Sequence, residues 1–359
     1  MQHGHTALPP PAYPRILAIG SETPADKYTQ SEVLDRFGIT NRKIRGIFSH
    51  SHIKSRHLCL PEPNPDGGPP DETPAELLEK HQRVALEIGQ SAIDKALEKV
   101  ALTPRDIDYI CVVSTIGLLC PSLTAHYIEL LDMRPDIQRI DIVGMGCNAG
   151  LNGMQPVANF CALHPDAVGL LLCVEVCSAM YVMDDTLNTA VVNSLFGDGA
   201  AAAVISAQHA WSASDGPNIL GFSSHIIPEA IEAMRLDFRD NKYAFQLDPK
   251  IPYYLGLNFR IPVDNLLQRF GRKRRDIDHW VVHSGGRKVI DALKYSLNVT
   301  KKDVRHTTDI LENFGNVSSA SFLFAHERLL EEGITISGDS IVMITMGPGP
   351  TIECCLGEF

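Results

Sequence analysis

A chain of 359 residues with 44% hydrophobic and 21% charged side chains can fold as one large soluble domain or as two fused halves. Its net charge of −11 excludes a general nucleic-acid binder, which needs a basic face, and its longest uncharged apolar run, near 167–174, is too short to span a bilayer. Nine cysteines with no CxxC pair argue against a full disulfide framework, and Met1–His5 lacks the pattern of a secretory signal, so a cytoplasmic location is expected.

Residues 1–14, rich in Pro and His, read as a loose tail, and Ile16–Ser21 as a first strand. Thr29 and Glu32 form a capping-box pattern ahead of Val33-Leu34. Lys43, Arg45, Lys54 and Arg56 then gather positive charge in an acidic chain, either as solvated surface or as an anion-binding rim. Pro61–Thr73 reads as an irregular loop, after which Thr73 and Glu76 cap an amphipathic helix running to about Val100. Asp108–Thr115 is expected as a strand, Ser122–Leu131 as a helix, and Gln138–Val143 as a strand leading into a glycine-rich turn. The helix after that turn contains Pro156, which should kink it. Ala167–Val176 has the nearly continuous apolar character of a strand buried on both faces. Phe196-Gly197-Asp198-Gly199 is a turn, Ala200–Ser206 a strand, and Leu255–Phe270 a helix ahead of the basic cluster Arg272-Lys273-Arg274-Arg275.

The second half echoes the first. Arg105-Asp106-Ile107-Asp108 recurs as Arg275-Asp276-Ile277-Asp278, each copy followed by apolar strand residues. At a matching offset, Gly146-Cys147-Asn148-Ala149 has a counterpart in Val317-Ser318-Ser319-Ala320. Two similar α/β halves, 1–215 and 216–359, are therefore expected to pack together with a site between them.

Cys147 stands in the turn Gly144-Met145-Gly146-Cys147-Asn148-Ala149-Gly150, at the start of a helix. A helix N-terminus favours a thiolate and can lower a thiol pKa from about 8.5 to roughly 3.5–7.5. A buried structural cysteine is the other reading. His283 ends an apolar strand before Gly285-Gly286, and Asn316 lies in Gly315-Asn316-Val317-Ser318 ahead of a helix. Alone, each reads equally as a satisfied strand-end histidine and a helix cap. Together with Cys147 they suit one chemistry. The sulfur forms a thioester, and the His and Asn N–H groups stabilise an enolate as it forms. That chemistry is a decarboxylating Claisen condensation, for which no metal and no redox cofactor are expected.

With Gly146-Cys147-x-Ala149-Gly150, Leu195-Phe196-Gly197-Asp198-Gly199-Ala200-Ala201, His283-x-Gly285-Gly286, Gly315-Asn316-x-Ser318-Ser319-Ala320 and Gly347-Pro348-Gly349 in this order, the chain resembles the type III polyketide synthases of the thiolase superfamily over nearly its whole length. The resemblance implies a thiolase-like fold in which two duplicated αβαβα halves form a five-layer core. It implies Cys147 as nucleophile, with His283 and Asn316 as the decarboxylation and oxyanion pair. Phe196 and Phe245 are implied as gate residues, Gly347 and Pro348 as part of the loop shaping the cyclisation cavity, and Lys43, Arg45 and Lys54 as CoA-phosphate ligands. Cys120 falls where plant members place a methionine that reaches into the partner subunit's cavity. The implied assembly is a homodimer, and the implied substrates are malonyl-CoA and acyl-CoA, with no cofactor beyond these thioesters.

Asn148 replaces the aromatic that plant members carry after the nucleophile, and Cys177-Ser178-Ala179 and Val191-Val192-Asn193-Ser194 resemble the bacterial branch. Within that branch the likeness points to members that build 3,5-dihydroxyphenylacetyl-CoA from four malonyl-CoA, with resorcinol, tetrahydroxynaphthalene or pyrone products as alternatives. The β-ketoacyl carrier-protein synthase of fatty-acid initiation shares the order Cys, His, Asn and stays open as a rival. A papain-like protease needs a different motif around its cysteine, and a non-catalytic acyl-CoA-binding protein has no need of all three residues.

Overall fold

The computed structural model describes residues 13–62, 64, 70–181, 186–208, 216–239 and 242–359. Most of the expected Pro- and His-rich tail, 1–12, lies outside them.

The first half comprises β1 (Arg15–Glu22), β2 (Lys27–Thr29), α1 (Gln30–Arg36), α2 (Arg42–Ser49), β3 (Ser55–His57), α3 (Pro74–Glu98), β4 (Tyr109–Ser114), α4 (Leu123–Leu130), β5 (Gln138–Val143), α5 (Ala149–Leu163), β6 (Val168–Glu175), α6 (Leu187–Leu195) and β7 (Gly199–Ser206). The second comprises β8 (Asn218–Ile226), β9 (Met234–Arg239), β10 (Lys242–Leu247), α7 (Ile251–Asn258), α8 (Arg260–Arg269), β11 (His279–Val282), α9 (Arg287–Leu297), α10 (Arg305–Phe314), α11 (Ser321–Glu332), β12 (Ser340–Gly347) and β13 (Thr351–Glu358).

Local chemistry sets several of these boundaries. Both expected capping boxes form: Thr29 with Glu32 opens α1, and Thr73 with Glu76 opens α3, where Pro74 needs no amide partner. α3 buries Val84, Ala85, Ile88, Ala92, Ile93 and Ala96, the spacing of one helix face. That face lies so close to β1 that a Cβ on Gly20 would meet the Ala96 nitrogen at 2.5 Å. The helix expected over Leu255–Phe270 is two helices. Pro262 has no N–H for the Asn258 carbonyl, so the hydrogen-bond ladder breaks between α7 and α8. α5 is helical on both sides of Pro156.

The strands run in the order β11-β12-β13-β8-β1-β7-β6-β4-β5. The two halves meet edge to edge, where Arg15 of β1 pairs with Asn218 of β8. Within the first half β1–β7 and β7–β6 are antiparallel and β6–β4 parallel. The second half repeats these senses as β8–β13, β13–β12 and β12–β11. The duplication suggested by the repeated Arg-Asp-Ile-Asp is therefore a duplication of topology. The expected boundary at 215 and 216 borders a stretch outside the described residues.

α3 covers the outer face of the first half's strands, and α8 that of the second. α5 and α11 lie between, touching strands of both halves. A single core there joins Leu151, Leu171 and Ala203 to Phe322, Met343 and Cys355. The result is five layers, helix–sheet–helix–sheet–helix, in a thiolase-like fold. Strands β6, β7 and β12 are buried at every residue because helices cover both their faces.

Candidate active site

Cys147 sits between β5 and α5. The backbone reaches it through Gly144 and Gly146, both at φ +81, a conformation open mainly to glycine. Gly146 also has no room for a side chain, since a Cβ there would lie 2.2 Å from Pro348. On the other side, a Cβ on Gly347 would lie 2.0 Å from the Asn148 side-chain oxygen. The Thr345 hydroxyl donates to the Asn148 carbonyl at 3.1 Å. The Cys147 turn of one half and the Gly347-Pro348 loop of the other are thus fitted into each other.

His283 follows β11, and its N–H donates to the Ile344 carbonyl at 2.8 Å. A Cβ on Gly285 would press against the His283 ring at 3.2 Å. Asn316 follows α10 through Gly315, at φ +75. Its backbone N–H donates to Leu195 at 2.8 Å, and its side-chain oxygen accepts the Ser318 N–H at 2.8 Å, which leaves the amide N–H groups for the cavity. Cys147, His283 and Asn316 are all buried. They line one cavity of about 630 Å³.

Phe196 and Phe245 line the same cavity and meet edge-on, ring centroids 5.6 Å apart. They also border a second, smaller pocket, which adds Thr115, Glu175, Ser318 and Pro348 around Cys147. The ring pair therefore stands where the two spaces adjoin. The mouth of the larger cavity carries His50, His52, Arg287 and Lys288.

Lys43, Arg45 and Lys54 are not among the residues lining it. Arg45 is held by Asp35 at 3.0 Å and Lys54 by Glu312 at 2.7 Å. Cys120 is exposed on the loop before α4 and does not line its own chain's cavity. Pro348 lines the smaller pocket, with Gly347 beside it against Asn148.

Sequence reasoning missed a polar network behind the sulfur. Glu175, fully buried at the end of β6, accepts the Thr115 hydroxyl at 2.8 Å, the Thr115 N–H at 2.9 Å and the Ser319 hydroxyl. The Thr115 hydroxyl lies 2.7 Å from that of Ser318, which lies 3.4 Å from the Cys147 sulfur. With its proton on Glu175, Thr115 can only accept from Ser318. The single Ser318 proton then serves Thr115 while Cys147 holds its own, and turns to the sulfur when Cys147 is ionised. The one available signal was an acid closing an otherwise apolar strand.

The electrostatics correct one expectation. A thiolate was expected at the start of α5, but burial pushes the Cys147 thiol up to about 12, with the Glu175 charge acting in the same sense. Hydrogen bonds from Ser318 and Asn316 oppose this without overcoming it. Burial likewise lowers His283 to about 3, against a backbone hydrogen bond with Ser318. Both shifts favour the neutral form of their group. The arrangement suits a thiol that ionises by handing its proton to a neighbouring base as it attacks.

Two family models match the chain: "FAE1/Type III polyketide synthase-like protein" over residues 54–215 and "Chalcone and stilbene synthases, C-terminal domain" over 219–357. A 3,5-dihydroxyphenylacetyl-CoA synthase of Streptomyces toyocaensis is 49% identical over 98% of this chain and 92% of its own length. A 1,3,6,8-tetrahydroxynaphthalene synthase of Streptomyces peucetius subsp. caesius is 29% identical over 95% of this chain and 92% of its own. Among solved structures, the 1,3,6,8-tetrahydroxynaphthalene synthase of Streptomyces coelicolor A3(2) superposes with a TM-score of 0.87 at 26% identity, covering 96% of this chain and 99% of that one. PKS-I of the brown alga Ectocarpus siliculosus, at 24% identity, has the same fold with a TM-score of 0.88 over 98% of this chain and 99% of its own. On this fold and these matches, the chain belongs to the type III polyketide synthases, enzymes that transfer acyl groups from CoA thioesters.

Proposed function

We propose that the protein condenses four malonyl-CoA into 3,5-dihydroxyphenylacetyl-CoA. The Cys147 sulfur attacks the thioester carbonyl of a malonyl-CoA and CoA leaves as its thiol. An extender malonyl-CoA then loses carbon dioxide in the same cavity. The enolate oxygen accepts hydrogen bonds from the His283 ring and the Asn316 amide. A neutral imidazole suits this task, because it donates a hydrogen bond without the acidity that would quench the carbanion. The enolate carbon attacks the Cys147 thioester, a carbon–carbon bond forms, and the sulfur leaves. The lengthened chain, now on CoA, reloads for the next round. Over three extensions the starter's own carboxyl also leaves as carbon dioxide, and the resulting eight-carbon acyl chain closes an aromatic ring with loss of water.

The observation that carries this reading is the convergence of Cys147, His283 and Asn316 on one cavity beside the Phe196–Phe245 pair. The product follows the activity of the 3,5-dihydroxyphenylacetyl-CoA synthase at 49% identity. We place the CoA phosphates against Arg287 and Lys288 with His50 and His52, and Lys43 as an outer charge, because Arg45 and Lys54 are already engaged by carboxylates. The working unit is a homodimer joined through β5. This strand ends the sheet, exposes Ile140 and Val143, and adjoins exposed Leu118 and Met145. In that dimer Cys120 borders the partner's cavity. Among the described residues no helix is long and apolar enough to cross a membrane, and the reading includes a cytoplasmic location.

Incubation with malonyl-CoA alone, followed by mass spectrometry, tests the proposal. The expected product is 3,5-dihydroxyphenylacetyl-CoA with release of carbon dioxide. A tetrahydroxynaphthalene, resorcinol or pyrone would replace the product but keep the chemistry. Absence of both carbon dioxide and polyketide would sink it, and a requirement for acyl carrier protein would favour fatty-acid initiation.

A further inference from the structure

Arg56 of β3 is fully buried, yet none of its hydrogen bonds goes to a carboxylate. One guanidinium nitrogen donates to the Asn193 carbonyl at 2.6 Å, the Phe196 carbonyl at 2.6 Å and the Tyr181 hydroxyl at 2.7 Å. The other donates to the Gln30 side-chain oxygen at 2.7 Å. The Gln30 amide in turn donates to the Ser194 carbonyl at 2.8 Å, and the Tyr181 hydroxyl to the Phe196 carbonyl at 2.8 Å. The carbonyls among these acceptors belong to the C-terminal end and cap of α6, where they have no partner within the helix. The negative end of the helix dipole stands in for a counter-ion.

The stem of the same side chain fixes a second segment. A Cβ on Gly315 would meet the Arg56 Cδ at 2.9 Å and the Leu195 carbonyl at 2.6 Å. Leu195–Gly197 is paired in turn with Asn316: Asn316 donates to the Leu195 carbonyl at 2.8 Å, and Gly197 to the Asn316 carbonyl at 3.0 Å. Arg56 therefore touches both strands of a bridge that carries Phe196 on one side and Asn316 on the other. It lines neither pocket itself and acts on them only through the residues it holds.

From this we infer that Arg56 is a positioning residue that sets the Phe196 gate and the Asn316 amide together, so that one buried fork governs both decarboxylation and chain length. The inference rests on the roles proposed above for Phe196 and Asn316. A lost fork lets that bridge drift while the Cys147 turn, held by Pro348 and Gly347, stays in place. Misplacement of a donor by about 1 Å costs on the order of 10²-fold in rate.

The test compares the full-length enzyme with Arg56→Gln, Arg56→Lys and Tyr181→Phe. Three quantities are read with malonyl-CoA: acyl loading of Cys147 by intact mass, carbon dioxide release, and product lengths. In Arg56→Gln, decarboxylation is expected to fall about 10²-fold relative to loading, and products to shorten. Arg56→Lys keeps the charge at the end of α6 and should recover thermal stability but not that ratio. Tyr181→Phe removes one of the two donors to the Phe196 carbonyl and should shorten products mildly, which keeps the inference testable if Arg56→Gln does not fold. Loading and decarboxylation falling in parallel would reduce Arg56 to a structural strut, and full recovery by lysine would show that charge alone matters. Either overturns the inference, as does an unchanged product distribution in Tyr181→Phe. A wild-type enzyme that loads but releases no carbon dioxide would overturn the function itself, an outcome distinct from these.

Discussion

The buried thiol and imidazole make a specific prediction about alkylation of Cys147. Alone, a thiol raised to about 12 would ionise in roughly one molecule in 10⁵ at pH 7, and its reactivity would rise about tenfold per pH unit. With His283 lining the same cavity, it has another route, because moving the proton from sulfur to ring leaves the total proton count unchanged. The reactive thiolate–imidazolium form then holds a share that does not change with pH. From about 3 for the ring and about 12 for the thiol taken separately, that share is only about one in 10⁹, and it exceeds simple ionisation up to about pH 9 once attraction between the two buried charges raises it by more than about 10⁶-fold. Iodoacetamide labelling of Cys147, followed by peptide mass spectrometry, should be flat from about pH 6 to about pH 9, while a free cysteine derivative rises toward its ordinary pKa of about 8.5. In His283→Ala the slope of about tenfold per unit should return. A wild-type Cys147 that already shows that slope would mean the ring does not take the proton, and the charge argument would fail.

Asn316→Ala should keep acyl loading but lose about 10²–10³-fold in decarboxylation, measured as carbon dioxide release per loaded enzyme; an unchanged rate would remove the amide from the mechanism. Gly146→Ala adds a Cβ at 2.2 Å from Pro348 on a backbone at φ +81, so it should cost about 1–3 kcal/mol in urea unfolding and abolish turnover. His81 and His326 are buried with no hydrogen-bond partner on either ring nitrogen, and burial lowers them to about 4 and about 3. Their contribution is complete above the unfolded value of about 6.5 and is lost as pH falls below it, up to about 2 kcal/mol each by pH 5; equal urea midpoints at pH 7 and pH 5 would contradict this. Val143→Lys at the β5 edge should yield monomers by light scattering, and a dimer that survives would move the interface elsewhere.

Whatever depended on short-range pattern was legible in the sequence. The capping boxes at Thr29 and Thr73 work across three residues, and the apolar run of β6 announces its burial directly. The glycines around Cys147 marked a tight turn, and the repeated Arg-Asp-Ile-Asp marked a repeated topology. What stayed hidden depends on partners distant in the chain. Lys54 reads as a free cation in the sequence, whereas in the fold it meets Glu312 at 2.7 Å. Arg56 read as one more surface cation, though its acceptors lie on α6 and beyond. The state of the Cys147 thiol follows from how completely the second half covers it, a quantity that local sequence does not contain.

The fit of Gly146 against Pro348 and of Gly347 against Asn148 bears on recombination between relatives. A chimera joined in the connection between β7 and β8 would take its Cys147 turn from one parent and its Gly347-Pro348 loop from the other. Each of these contacts leaves less than a methyl group of space, so a hybrid is functional only when both parents are small at the same positions. Shuffling such genes therefore calls for moving the two turns as one cassette, and family trees built separately from each half should agree most closely at these four residues.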